Sequence, residues 1–209
     1  MIQNKRDLIF YLRADAEANN AGTWRWWHRL KYPTVWFQRS LRHFEYHKNR
    51  SPRGLRRIRC SWLHLKFRLL SMFLGFSIPP NTCGPGLCIP HYGTIVVSPS
   101  ATLGENCKIH TCVNIGLKNG KAPSIGSNVY IGPGAKLFGD ICVGDNIAIG
   151  ANAVVSRDIP NNVTVAGIPA KVIGASDQSG LIVDGVSKAR QQLGLPPGHN
   201  LESGRCDQT

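Results

Sequence analysis

The sequence predicts a mainly β fold, a solenoid of short stacked strands that follows an α-helical N-terminal segment. Three observations predict it. Aliphatic residues recur every six positions through the middle of the 209-residue chain. The 22 Gly and 13 Pro, with only 18% charged residues, exclude a coiled coil and a disordered chain. Charge is also segregated: of a net +13, residues 1–80 carry 16 basic against 4 acidic side chains, residues 81–175 carry 6 against 4, and residues 176–209 carry 3 against 4. Three segments follow: a basic helical segment over 1–80, a β-solenoid over 81–175, and a largely disordered tail over 176–209.

The first segment places apolar residues at helical spacing, as in Leu8, Tyr11 and Leu12, then Trp36, Phe37, Leu41 and Phe44. Breaks at Pro33 and Ser51-Pro52 give helices near 4–18, 34–48 and 54–75. The most apolar run, Leu69 to Ile78, is too short to span a bilayer, and charges near the start leave no room for a secretory signal. A cytoplasmic chain is expected. Seven cysteines, none in C-x-x-C spacing, read as reduced packing residues, and no metal site is expected.

In the second segment the aliphatic column runs Val97, Leu103, Ile109, Ile115, Ile125, Ile131, Leu137, Val143, Ile149 and Val155. Every step is six except Ile115 to Ile125, which is ten. Four residues after these positions comes a second column of small or aliphatic residues, from Ala101 to Ala153, and six of the first column precede a Gly. A period of six fits neither a helix nor simple alternation but suits short strands joined by corners, with Gly expected to supply left-handed backbone there. One coil cannot bury its own inner face, so the stack makes the core. The extra residues within 117–124 must bulge outward as a loop. In the tail only Val186 to Leu193 reads as a short helix.

The run from Gly86 through His91-Tyr92-Gly93-Thr94-Ile95-Val96-Val97, the hexads, Asp158-Ile159-Pro160, and the terminal Ala166-Gly167-Ile168-Pro169-Ala170-Lys171 resemble the serine acetyltransferase branch of the hexapeptide-repeat acyltransferases. The likeness is similar again to enzymes of that branch from capsule and exopolysaccharide pathways. It is strong over about 75–174 and implies a left-handed parallel β-helix, a homotrimer or dimer of trimers, acetyl-CoA as donor, and a site between subunits.

Transfer of acetyl from a thioester to an alcohol requires a base for the hydroxyl proton, and imidazole titrates in the useful range. His91 matches the family's catalytic histidine. Counting back six from Val97 would turn it inward to pack, but Pro90 and Tyr92-Gly93 should disturb that coil and free it. His110, one residue past a core position, should face a corner and contact the acceptor. The family's donor site matches Gly134, Ala151, Ser156, Arg157 and Lys171, the two cations suiting phosphate. Its acceptor contacts match poorly. The Asp that precedes the histidine in that family is Pro90 here, a loop histidine is Ala122, and an upstream Asp-Pro corresponds to Asp15-Ala16. Loss of such charged contacts points from L-serine toward a sugar hydroxyl. The alternative is a catalytically inactive scaffold or membrane-recruitment module. The Trp- and Arg-rich helices admit packing within the assembly or peripheral contact with an anionic membrane, and nucleic acid is the least favoured partner.

Overall fold

The computed structural model describes residues 1–50, 54–177 and 180–197. Helices α1 (Lys5–Ala18), α3 (Pro33–Asn49) and α4 (Leu55–Leu74) lie close to the expected spans, with one further turn, α2 (His28–Lys31), that the sequence pattern did not announce. Each boundary has a local cause. Asn4 caps the amide of Asp7 while Asp7 caps back, Pro33 opens α3 where its missing N–H is harmless, and Gly75 closes α4 at φ 78°.

From Phe76 the chain winds as a three-sided parallel β-helix. Its first face holds β1 (Phe76–Ser77), β2 (Ile95–Val97), β5 (Asn114–Gly116), β8 (Lys136–Phe138) and β11 (Val154–Val155). The second face holds β3 (Thr102–Leu103), β6 (Ser124–Ile125) and β9 (Cys142–Val143). On the third, β4 (Lys108–Ile109), β7 (Val129–Ile131), β10 (Ile147–Ile149) and β12 (Val163–Ala166) are parallel, and β13 (Lys171–Ala175) turns back antiparallel on β12. Every residue of both aliphatic columns is buried. They stack in register, as in Val97 on Ile115 on Leu137 on Val155, so each coil covers the apolar face that its neighbour cannot cover alone.

The recurrent glycines have a different cause from the one expected. Gly104, Gly126 and Gly132 do not have positive φ; a Cβ on Gly104 would stand 2.7 Å from the carbonyl carbon of Gly126, and one on Gly126 2.6 Å from the oxygen of Gly144. They are small because consecutive coils touch backbone to backbone. Along one edge the left-handed corners are instead supplied by asparagine: Asn106, Asn128, Asn146 and Asn162 all have φ between 53° and 62°, while Cys112 and Gly134 take positive φ on another. The asparagine side chains form a ladder in which each Nδ2 donates to the Oδ1 of the next, at 3.2, 3.0 and 2.9 Å.

A buried cation joins helices to solenoid. Arg42 on α3 donates from Nε to Asp15 of α1 (2.8 Å), from Nη1 to Glu45 (3.1 Å) and the carbonyl of Cys83 (2.8 Å), and from Nη2 to Asp15 and the carbonyl of Gly84. Burial works against the guanidinium's charge, but the two carboxylates outweigh it and hold Arg42 well above its ordinary range. Behind α1 packs α5 (Gly185–Gln192), where the tail's helix was expected; Gly185 lies so close that a Cβ would meet the Ala14 oxygen at 2.3 Å. Of the tail expected to be largely disordered over 176–209, residues 180–197 carry this packed helix, and 178–179 and 198–209 lie outside the described residues. Cys60, Cys83, Cys88, Cys107 and Cys112 are free, whereas Cys142 is disulfide-bonded, contrary to the reduced reading.

Candidate active site

His91 stands at the edge where the third face turns into the first, and register puts it there. Cys88 pairs with Lys108, so the inward residue of the top coil is Ile89, above Ile109, Ile131 and Ile149. From Ile89 to Val97 the chain takes eight steps where the coils below take six, from Ile109 to Ile115 and from Ile131 to Leu137. Two extra residues cannot fit a six-step corner, so the corner swells outward. His91 and Tyr92 are exposed, while Ile89 and Ile95 are sealed in the core. Gly93 closes the swelling at φ 140°, where a Cβ would also stand 3.1 Å from Cγ2 of Thr111.

One coil below, His110 is half-buried, its ring centroid 6.2 Å from that of His91 and 5.1 Å from Tyr130, which meets it edge-on. Its Nε2 is buried without a hydrogen-bond partner among the described residues, an unusual state for a polar atom. Burial, then the charges of Lys108 and His91, push its pKa below the ordinary histidine value and favour neutral imidazole. Lys108 lies over the Tyr130 ring at 5.9 Å and donates to the Leu181 carbonyl, and Lys136 donates to the Cys112 carbonyl at 2.6 Å. Tyr130, Lys108 and Lys136 escaped the sequence reading. Lys108 and Tyr130 sit in strands where hexad counting marks only inward positions, and cross-coil neighbours are visible only once the register is known.

Gly134 and Ala151 continue down the same edge. Gly134 donates its N–H to the Thr111 carbonyl, Asn152 donates to that of Pro133, and the sequence of corners leads to Lys171 at the start of β13. Ala151 and Lys171 are exposed and Gly134 half so, which makes this edge a shelf with main-chain polar groups beside it. Ser156 and Arg157 are exposed too, but they occupy the other end of the first face, at the edge leading to the second. Within one chain they do not join Gly134 and Ala151. The loop over 117–124 leaves from that same second edge as a hairpin, Lys118 and Lys121 exchanging both backbone hydrogen bonds around Asn119-Gly120, both at positive φ. Lys121 pairs with Asp140.

Asp15 is placed elsewhere than the acceptor role requires. It is 1% exposed; Oδ2 accepts from Arg42, and Oδ1 accepts from Arg42 and from the Leu87 amide at 2.9 Å. Burial pushes its carboxyl up, and Arg42 opposes that shift. Its carboxylate is spent on joining α1 to the top coil, so the structure corrects the substrate-binding expectation. Among the described residues no group of three or more His, Cys, Asp or Glu side chains is placed to hold a metal.

Sequence comparison finds a serine acetyltransferase of Synechococcus elongatus 40% identical over 126 residues, covering 56% of this chain and 50% of that protein. One from Helicobacter pylori is 38% identical over 111 residues, 51% of this chain and 65% of its own. Among solved structures, a truncated serine acetyltransferase apoenzyme superposes at a TM-score of 0.64 with 27% identity, covering 81% of this chain and 71% of that one. A serine acetyltransferase in complex with CoA gives 0.63 and 26% over the same shares. In sequence and in fold the chain is similar to the serine acetyltransferases, a hexapeptide-repeat branch. Its coil is the left-handed β-helix. No protein-family model matches it. The chain spans only between half and two thirds of the length of those two curated relatives.

Proposed function

We propose that the protein is an acetyl-CoA-dependent O-acetyltransferase with His91 as general base. The observation that carries this is the enlarged corner that brings the His91 imidazole out of the prism, at the head of the edge on which Gly134 and Ala151 stand. The imidazole takes the acceptor's hydroxyl proton as its oxygen attacks the thioester carbonyl, and returns a proton to the departing CoA thiolate. Direct transfer needs no protein nucleophile. Lys171, and Arg157 from the other edge, are the cations we assign to the donor's phosphates.

Because Arg157 and the 117–124 loop stand on a different edge from His91, a complete site calls for a neighbouring copy, and we assign a homotrimer or a dimer of trimers. The acceptor we favour is a hydroxyl of a sugar in a polysaccharide precursor. Pro90 and Ala122 offer no charge to an amino acid, and Asp15 is occupied by Arg42. Residence in the cytoplasm with peripheral membrane contact through the basic helices completes the reading. No described helix is long and apolar enough to cross a membrane.

The test is thiol release from acetyl-CoA with L-serine, free monosaccharides and lipid-linked sugars as acceptors. A sugar-dependent release supports the whole reading, and a serine-dependent one keeps the reaction but overturns the acceptor. No release with any of them, together with no thermal stabilisation by acetyl-CoA, removes the enzyme assignment.

A further inference from the structure

Helix α4 has two apolar stripes and only one is covered. The inner stripe, Cys60, Leu63, Phe67, Leu70 and Leu74, packs toward α3 and the top coil. The outer stripe, Leu55, Ile58, Trp62, Leu65, Leu69 and Met72, repeats in alternating steps of three and four and is exposed along its whole length, with Phe73, 85% exposed, beside it. Around Trp36, Trp62, Leu65, Leu69, Leu70 and Phe73 the surface sinks into an open groove of about 550 Å³. Trp36 extends the face to the 24–32 segment: Arg29 and Lys66 both lie over its ring, at 6.0 and 5.8 Å, and Trp26 and Leu30 beyond are exposed.

We infer that this outer face of α4 is the surface by which the protein docks on an anionic lipid bilayer. The charges flanking the stripe select the occupant. Such alternating spacing would suit a second copy of α4, but the flanking positions are Arg59, Lys66 and Arg68, and the helix contains no Asp or Glu. A symmetric pair would set these cations against one another, in either direction. The positive field is wider still: residues 46–104 contain no acidic side chain, and Asp15 and Glu45 are consumed by Arg42. Arg50, Arg56 and Arg59 converge with His47 and Tyr46 around a second hollow at the helix's N-terminal end. Arg56 and Arg57 stand in the first turn, where the helix dipole disfavours cations. Tryptophan and leucine on one face, arginine along its borders and no acid between them match the headgroup boundary of an anionic leaflet, with the helix lying on the surface.

The inference rests on the peripheral-membrane reading above and not on the transfer reaction. It is tested with the full chain by co-sedimentation with phosphatidylcholine vesicles containing one third phosphatidylglycerol, against phosphatidylcholine alone, at low and high salt. Expected is binding that needs phosphatidylglycerol, weakens at high salt, and falls about tenfold or more in Leu65→Ser/Leu69→Ser and in Arg59→Gln/Arg68→Gln. All four positions are exposed, so both variants should keep the parent's circular dichroism and melting temperature. Failure to bind any vesicle defeats the membrane reading altogether. Binding that survives both variants leaves that reading standing but overturns the assignment of this face. A fall in solution mass in the leucine variant without vesicle binding identifies the stripe as an interface between copies. Thiol release with a soluble acceptor should be unchanged in both variants.

Discussion

His91 and His110 face each other across one coil, ring centroids 6.2 Å apart and planes at 50°, with Tyr130 closing the far side of His110. The exposed ring can take a proton from solvent-borne substrate, whereas the inner one is kept neutral by burial and by Lys108. The reaction proposed above gives proton transfer to His91, and the geometry suits His110 to the acceptor contact expected of it.

Substitution of His110 should therefore act on acceptor binding. His110→Phe keeps an aromatic ring beside Tyr130 but removes the hydrogen-bonding atoms. The expected result is a rise in acceptor KM of about tenfold, the value of one hydrogen bond, with the acetyl-CoA KM unchanged. A pure kcat effect would contradict the role.

Removing the buried cation should unfasten the helices. Arg42→Met leaves Asp15 and Glu45 buried without their partner, which costs about 3–5 kcal/mol. Urea titration followed by circular dichroism reads it directly, and a loss near zero would show that the carboxylates find other donors.

Stability should fall with acidity through His43. Burial, followed by Arg39, His47, Lys66 and Arg59, lowers its pKa from 6.5 to about 4. The folded state thus binds fewer protons than the unfolded chain between these values. The stabilisation is complete above pH 6.5 and is lost as pH drops toward 4. Full burial would make this about 3 kcal/mol; partial solvent contact reduces it to about 1–2 kcal/mol. His43→Gln should flatten that part of the pH profile.

The two kinds of glycine should respond differently to alanine. Gly126→Ala forces a Cβ to 2.6 Å from the Gly144 oxygen and should cost about 2 kcal/mol or more. Gly174 in β13 has nothing within 4 Å of such a Cβ, and Gly174→Ala should fall within about 0.5 kcal/mol of the parent. Chemical denaturation of the two variants makes the comparison.

Much of the architecture was legible because a period of six in aliphatic residues is itself a statement about geometry: one inward side chain per corner-to-corner segment. The step of ten at Ile115 to Ile125 likewise foretold the protruding 117–124 loop, though not its hairpin form. What sequence spacing could not show was contact between coils. The six-step count from Val97 taken alone would turn His91 inward; Pro90 and Tyr92-Gly93 argued that the coil is disturbed there, but not that the inward residue is Ile89 and the corner holds two residues more. Glycine was credited with the left-handed corners that the Asn106 to Asn162 ladder supplies, because the spacing of either residue along the chain says nothing of which touches the next coil. Asp15 misled for a related reason: its partner Arg42 is distant in sequence, and no local pattern joins them.

The central claim is that a proton leaves the acceptor hydroxyl for the ring of His91. Single-turnover thiol release by His91→Ala, with acetyl-CoA binding followed in parallel by thermal shift, tests it most directly. The account predicts undiminished stabilisation by acetyl-CoA and transfer slowed by at least about a hundredfold. Turnover at the parent's rate in that variant would contradict it.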